Sequence, residues 1–329
     1  MRPRKKRILI FIFLLFLLLL ATGVFLYMKQ QGNSPSTEYK ESDREDTVDY
    51  GGKRYQYNDH LSNFLFLGID TTESVEDYDA HKDAGQADTI FLLSLNRVTN
   101  TLKCLSIPRD TMTTVRVISP NGTDLGTTEN HINVQYAFGD GKEESCRLMK
   151  EAVSNLLYGI PIQGYMSLNM DGIPIAAETL GGVELVVPDD TLEEVNPQFK
   201  AGATVVITKE NAEQFLRYRD TEESLSAIGR MNRQKVFMEA FAEKAKEVFS
   251  KDNAFIVKMY DSLEDYMVTN IGNDVFAKIL EASYENGQGV RDIPGEAVAG
   301  EEYDEYHVND DALYELILEM FYEEVQDGE

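Results

Sequence analysis

Three apolar runs in the first third of the chain constrain the fold most. Asn63–Gly68 (NFLFLG), Thr89–Leu95 (TIFLLSL) and Thr101–Ile107 (TLKCLSI) are apolar almost without interruption. A strand with one wet face alternates apolar and polar residues. These runs do not, so each is expected to be a strand buried on both faces. The short Asn96–Asn100 segment makes the last two a hairpin. Further strands are expected at Gly164–Met170, Val183–Val187 and Val290–Ile293. Helices are expected over Asn133–Phe138, Glu143–Tyr158, Gly172–Leu180, Arg230–Phe249, about 253–266, about 273–285, and from Asp310 to Glu324 behind an Asn309 cap. Thr208 is placed to cap the helix that carries Phe215. Strands alternate with helices, which predicts an α/β fold with helices on both sides of a central sheet.

Each of the three runs meets a charge. Asp70 follows the first in GIDTT, Asp88 precedes the second in QADTI, and Arg109 and Asp110 end the third in SIPRDT. Ligands of open α/β sheets bind beyond strand ends. Singly, such residues also serve as turn formers or caps.

A second cluster of charge lies in Phe215–Gln234 (FLRYRDTEESLSAIGRMNRQ), which holds Arg217, Arg219, Arg230 and Arg233. These are four of the fourteen arginines of a chain whose formal net charge is −26. Ala212, Phe215, Leu216 and Arg219 fall at i, i+3, i+4 and i+7, so Arg219 continues an apolar helical stripe. Counting back from Phe237 by four and seven lands on Arg233 and Arg230. Three arginines thus point as core residues point. A buried guanidinium stays charged and needs a partner. That partner is either a network of Asp and Glu or a bound phosphate, and the stretch alone leaves both open. Together with Asp70, Asp88 and Arg109, the arginines suggest a divalent ion and a phosphate-rich ligand. Carboxylates and phosphate oxygens are the usual ligands of Mg²⁺, and arginines neutralise phosphoryl groups in transfer.

The N-terminus carries a different signal. Residues 1–7 (MRPRKKR) are basic, and Ile8–Met28 follows as 21 mostly apolar residues. As a helix this run spans about 31 Å, the thickness of a bilayer core. A cleaved signal peptide has a shorter apolar region and a small-residue cleavage site, and no such site stands near Thr22–Gln31. A signal anchor is expected, with the N-terminus cytoplasmic and the remainder outside the cell membrane. Lys29–His60 is polar and acidic and reads as a spacer. The acid excess argues against nucleic acid as a partner. Cys104 and Cys146 read as two buried, unpaired thiols. His60, His81, His131 and His307 lack metal-ligand spacing, and no Walker, GxGxxG or GxSxG motif occurs. The acid- and tyrosine-rich EEYDEY segment (301–306) reads as a solvated face.

FLFLGID, ADTIFLLSLN, LKCLSIPRDT, INVQYAFGDG, GYMSLNMDGIPIAAETLGGVELVVP and FLRYRD…GRMNRQ occur in that order. Over about residues 63–245 the chain resembles the extracellular domain of the LytR-CpsA-Psr family. The resemblance implies an α/β/α sandwich whose central mixed sheet encloses an apolar lipid channel. It implies a membrane-anchored phosphotransferase that moves a glycopolymer from a polyprenyl-pyrophosphate carrier onto peptidoglycan in a Gram-positive wall. It also implies the roles of the charged residues. Arg109, Arg217, Arg219, Arg230, Arg233 and Gln234 would bind pyrophosphate. Asp88 would hold Mg²⁺, with Asp70 orienting it or the arginines, and Asp88, Asp70 and Arg109 would form the catalytic group. The expected layout is a cytoplasmic tail (1–7), an anchor (8–28), an extracellular spacer (29–60), a catalytic domain (61–249) and a helical extension packed on it (250–329).

The chain departs from the family pattern in three places. Thr71 and Thr72 stand where an arginine often follows the first aspartate. Gln86-Ala87 replaces Arg-Ser before Asp88, and Ala227 replaces an acid. Two other functions therefore stand beside the transferase: a non-catalytic polyprenyl-pyrophosphate-binding regulator of wall synthesis, and a hydrolase releasing the glycan to water.

Overall fold

The three apolar runs become adjacent strands at the centre of a mixed sheet. The computed structural model describes residues 47–72, 74–75, 85–218, 226–285, 289–300 and 303–325. The expected tail, the anchor and the spacer up to residue 46 lie outside the described residues, as does Arg219. Among the described residues no helix is long and apolar enough to cross a membrane.

β1 (Thr47–Tyr50) and β2 (Lys53–Tyr57) form a hairpin ahead of β3 (Leu61–Ile69), β4 (Ala87–Asn96) and β5 (Thr101–Ser106). β4 runs antiparallel to both of its neighbours, and Asn100 takes a positive φ of 54° in the expected β4–β5 turn. β6 (Met112–Ile118) and β7 (Asp124–His131) make a second hairpin, followed by a 3₁₀-helix (Ile132–Phe138) and α1 (Glu143–Leu156). β8 (Gly164–Asn169) returns parallel to β3. Next come α2 (Gly172–Thr179), the β9 (Val183–Val186) and β10 (Thr204–Ile207) pair, and α3 (Ala212–Arg217). The long α4 (Ser226–Lys251) leads to α5 (Phe255–Leu263), β11 (Met267–Thr269) and α6 (Asn273–Glu281). β12 (Ser283–Tyr284), β13 (Val290–Asp292), β14 (Gly295–Val298), β15 (Glu305–Val308), α7 (Asp310–Phe321) and β16 (Tyr322–Val325) complete the described chain. The central sheet runs β11-β8-β3-β4-β5-β12, with β13 also pairing β5.

Side-chain alternation along the central strands separates two cores, as apolar strands covered on both faces require. Leu65, Leu67, Ile69, Ile90 and Leu92 pack with α1 and α7, where Met149, Val153, Leu316 and Phe321 are buried. Phe64, Phe66, Leu93, Met166 and Leu168 face the other way, toward α2, α4, α5 and α6. The first face is sealed, whereas Phe66, Leu93, Met166 and Leu168 are only half-buried. The fold is therefore α/β with a mixed central sheet between helices, and its two faces are packed unequally. Cys104 on β5 and Cys146 on α1 are free and buried, as expected. Burial pushes the Cys146 thiol up to about 12 and raises that of Cys104 as well.

Several expectations are corrected. The spacer does not extend to residue 60, because β1 and β2 are ordered strands and β2 pairs with β16. Residues 250–329 are not a helical extension: β11, β12 and β13 are strands of the central sheet, and α7 supplies one side of a core. Asn309 does cap α7, its Oδ1 accepting from the Ala312 N–H at 3.1 Å, but the helix ends at Phe321 and the chain turns into β16. Thr208 is not the cap of the helix carrying Phe215, which follows Asn211 instead. The β6–β7 hairpin went unforeseen because β7 (DLGTTENH) is mostly exposed and has no apolar alternation to read.

Phe321 tests whether the C-terminal segment belongs to the domain. Its side chain is fully buried and its carbonyl accepts from the Asn58 N–H at 2.9 Å. Phe321→Ala is expected to lower the unfolding free energy by about 3–5 kcal/mol in urea titration. A loss under about 1 kcal/mol would show a peripheral segment.

Candidate active site: a salt-bridged cleft joined to an apolar cavity

The site begins with a β-bulge. Gly68 pairs Thr89, but the next residue, Ile69, pairs Ala87, so Asp88 is the extra residue of β4. A bulge bends the strand and re-aims a side chain. Gly68 permits it: a Cβ there would lie 3.0 Å from the Thr89 Cβ. Asp88 is consequently 8% exposed although it is an acid at a strand end.

Two arginines meet that carboxylate. Arg109, just beyond β5, donates from Nη1 to Asp88 Oδ1, and Arg230 Nη1 lies 3.0 Å from Asp88 Oδ2. Arg230 stands in the first turns of α4 and is 7% exposed. Arg109 also donates from Nε to Asp110 Oδ1 at 3.1 Å and from Nη2 to Gln86 Oε1 at 2.9 Å. Asp70 Oδ1 accepts from the Gln86 N–H at 2.6 Å. The structure thus joins Asp70, Asp88, Arg109 and Arg230 into one network at one end of the sheet.

The other predicted residues divide. Arg233 is 1% exposed, and its guanidinium is spent within the fold. Nε donates to the Phe215 carbonyl at 2.9 Å, Nη2 to the Tyr218 carbonyl, and Nη1 to Thr191 Oγ1 at 2.6 Å. The C-terminal carbonyls of a helix lack partners within it, and Arg233 supplies them at the end of α3. Burial lowers its pKa, with Asp189 opposing the shift, yet a guanidinium stays protonated. Arg217 is at the surface and pairs Glu213 one turn back at 2.9 Å. Gln234 Nε2 reaches the Leu216 carbonyl at 3.4 Å. Arg219, on which the apolar-stripe argument partly rested, lies outside the described residues.

Around Asp88, Arg109 and Arg230 runs a cleft that also touches Thr89, Phe91 and Gln234. The same three residues line a second space, an apolar cavity of about 190 Å³ between the half-buried sheet face and α4, α5 and α6. Phe66, Leu168, Phe237, Phe241 and Leu280 are among its walls. The charged cleft and the apolar cavity therefore adjoin, with Thr89, Phe91 and Gln234 lining both. One ligand that is anionic at one end and hydrocarbon at the other matches both.

Two contributors were not foreseen. Gln86 and Asn133 belong to the network, Asn133 Nδ2 donating to Gln86 Oε1 at 2.8 Å. Neither carries charge or falls on a periodic stripe: Gln86 stood out only as a departure from the family pattern, and Asn133 not at all. The C-terminal hairpin supplies a wall through Ala297, Asp304, Glu305 and Tyr306. The EEYDEY segment is thus not wholly a solvated face: the Tyr306 N–H donates to the Asp110 carbonyl at 2.8 Å, and its hydroxyl to the Ile293 carbonyl at 2.7 Å.

The sequence model of the LytR_cpsA_psr family matches residues 23–320. The chain belongs to this family. It is 32% identical over 230 residues to the polyisoprenyl-teichoic acid–peptidoglycan teichoic acid transferase TagU of Halalkalibacterium halodurans, covering 69% of this chain and 67% of that protein. Family members also share the fold. The crystal structure of Bacillus subtilis TagV aligns with a TM-score of 0.58 at 21% identity, over 80% of this chain and 96% of that one. A structure of TagT bound to LI-WTA aligns with a TM-score of 0.58 at 20% identity, over 86% and 96%.

Arg233 and Arg217 provide a contrast within this LytR_cpsA_psr site. Arg233→Ala is expected to lower the unfolding free energy by about 3 kcal/mol, since it leaves buried carbonyls unpaired. Arg217→Ala removes one exposed helical pair and is expected to cost less than about 0.5 kcal/mol. Equal losses in chemical denaturation would overturn the assignment of Arg233 to helix capping.

Proposed function

We propose that this protein is a membrane-anchored phosphotransferase that moves a glycopolymer from a polyprenyl-pyrophosphate carrier onto peptidoglycan. One observation carries the reading: the Asp88–Arg109–Arg230 cleft adjoins the apolar cavity and shares Thr89, Phe91 and Gln234 with it. A pyrophosphate in the cleft and an isoprenoid chain in the cavity use both at once. The names of the transferase relatives agree with this donor and acceptor.

In this reading the pyrophosphate lies against Arg109 and Arg230, whose guanidiniums stabilise the charge that gathers on the equatorial oxygens during transfer. An acceptor hydroxyl attacks the sugar-proximal phosphorus. The new P–O bond forms as the bond to the bridging oxygen breaks, and polyprenyl phosphate leaves with that oxygen. Burial of the isoprenoid fixes the phosphorus in place, which is binding energy converted to orientation.

The charges also favour a divalent cation. Asp70, Asp88 and Asp110 set three carboxylates against the guanidiniums of Arg109 and Arg230, a poor match for a multiply anionic ligand. Among the described residues no three His, Cys, Asp or Glu side chains form a metal shell. This suits Mg²⁺, which takes one or two carboxylates and fills its shell with phosphate oxygens and water. Asp88, with Asp70 beside it, would hold the ion. Bound there, Mg²⁺ would neutralise phosphoryl charge. The anchor at 8–28 and the extracellular placement of the domain complete the proposal, because the lipid carrier and the wall acceptor meet at the outer membrane surface.

Incubating the protein with a polyprenyl-pyrophosphoryl saccharide, Mg²⁺ and peptidoglycan fragments is expected to give a phosphodiester-linked product by mass spectrometry. Arg109→Ala and Arg230→Ala are each expected to lower kcat/KM by about 100-fold or more. No product above the Arg109→Ala level across several donors would sink the transferase reading. Pyrophosphate cleavage without an acceptor would mark a hydrolase, and tight lipid binding without turnover a regulator. Chelation with EDTA is expected to abolish transfer and added Mg²⁺ to restore it; transfer unaffected by EDTA would remove the cation from the proposal.

A further inference from the structure

Gln86 is a neutral residue, yet it connects Asp70, Arg109 and Asn133, which lie on three separate segments. Its N–H donates to Asp70 Oδ1 at 2.6 Å, and its carbonyl accepts from the Asp70 N–H at 3.1 Å. Its backbone is therefore clasped to the end of β3. Its side-chain Oε1 accepts from Arg109 Nη2 at 2.9 Å and from Asn133 Nδ2 at 2.8 Å. Arginine only donates, so the amide orientation is determined: the oxygen faces Arg109. Asn133 is fully buried, and its own N–H donates to the Arg109 carbonyl at 3.2 Å. Arg109 is thus tied to Asn133 from its backbone and, through Gln86, from its side chain.

The Arg109 guanidinium has a separate partner at each nitrogen: Asp110 at Nε, Asp88 at Nη1 and Gln86 at Nη2. Three partners fix the plane of the fork, and its remaining N–H bonds stay available to a ligand. Two carboxylates alone leave the Nη2 side unheld. A carboxylate in place of Gln86 would hold it but add negative charge where an anion must bind. A neutral acceptor supplies the anchor without that charge.

We propose that Gln86 is a positioning residue, clasped by Asp70, that sets the Arg109 guanidinium for phosphoryl binding. Asp70 then acts on Arg109 through Gln86, independently of any part it takes in holding a cation. The inference rests on the phosphotransfer reading of the cleft for its chemistry, and on the hydrogen bonds alone for its geometry.

A double-mutant cycle on the full-length protein tests it, with Gln86→Leu, Arg109→Ala and the pair together. Two quantities are read: kcat/KM for transfer, and Kd for geranylgeranyl pyrophosphate by calorimetry. Gln86→Leu is expected to lower kcat/KM by about tenfold, the scale of one hydrogen bond to a charged group, and to lower the thermal midpoint modestly, because the buried Asn133 amide loses its acceptor. Gln86→Glu, which keeps an oxygen facing Nη2, is expected to bring back part of that loss at raised Mg²⁺. In the Arg109→Ala background Gln86→Leu is expected to do nothing further, because its effect runs through the missing guanidinium. Additive losses, or Gln86→Leu as active as the parent, would overturn the proposal. Should the parent protein transfer nothing, the phosphotransfer reading fails by itself and the binding cycle decides. Coupled losses of affinity then uphold the positioning role, and independent ones overturn it.

Discussion

The site depends on one buried carboxylate held between two guanidiniums. A carboxylate taken out of water needs charged or hydrogen-bonding partners, and Asp88 meets Arg109 and Arg230 on its two oxygens. That pairing joins the end of β5 to the start of α4 across the end of the sheet. It also explains why an acidic chain places Arg230 on an apolar helix stripe. The bulge at Gly68–Ile69 is a precondition, since it puts Asp88 outside the regular pairing of β4 with β3. Strand register, helix placement and site charge are therefore a single arrangement.

The core of the fold was legible because burial on both faces leaves a plain mark on a strand. Asn63–Gly68, Thr89–Leu95 and Thr101–Ile107 became β3, β4 and β5 with boundaries shifted by a few residues. Hairpins at the surface left no such mark. β7 is largely exposed and β15 has only four residues, and their pairing is set by backbone hydrogen bonds that composition does not record. The termini misled for a related reason: β2 and β16 pair with each other across nearly the whole chain, and no local pattern reports a partner that distant.

The site was legible where charge violated periodicity. Arg230 and Arg233 both stood out as inward-facing, and both are buried. Periodicity gives direction but not purpose. Arg230 faces a carboxylate in the cleft, whereas Arg233, three residues on, faces the carbonyls at the end of α3. These are the two uses that a buried guanidinium has, and only the position of α3 separates them. The roles of Gln86 and Asn133 were not legible, because neutral amides break no rule of burial or charge; Gln86 showed only as the loss of a family arginine.

The unequal packing of the two sheet faces gives the cleft its meaning. Apolar side chains that close on one another leave no space, and the face toward α1 and α7 does so. Toward α4, α5 and α6 the same kind of side chain stays half-buried around about 190 Å³ of apolar space. Unfilled apolar volume costs stability in proportion to its size, about 24 cal/mol per Å³ in mutational series. A fold that keeps such a volume beside the Asp88–Arg109–Arg230 cluster forgoes that stabilisation there. Filling the cavity with larger side chains from α4 would recover packing but would remove the apolar space that adjoins the Asp88 cleft at Thr89, Phe91 and Gln234. In the proposed reading the incomplete packing and the buried salt bridge belong together, as two ends of one binding site that a ligand spanning both would stabilise.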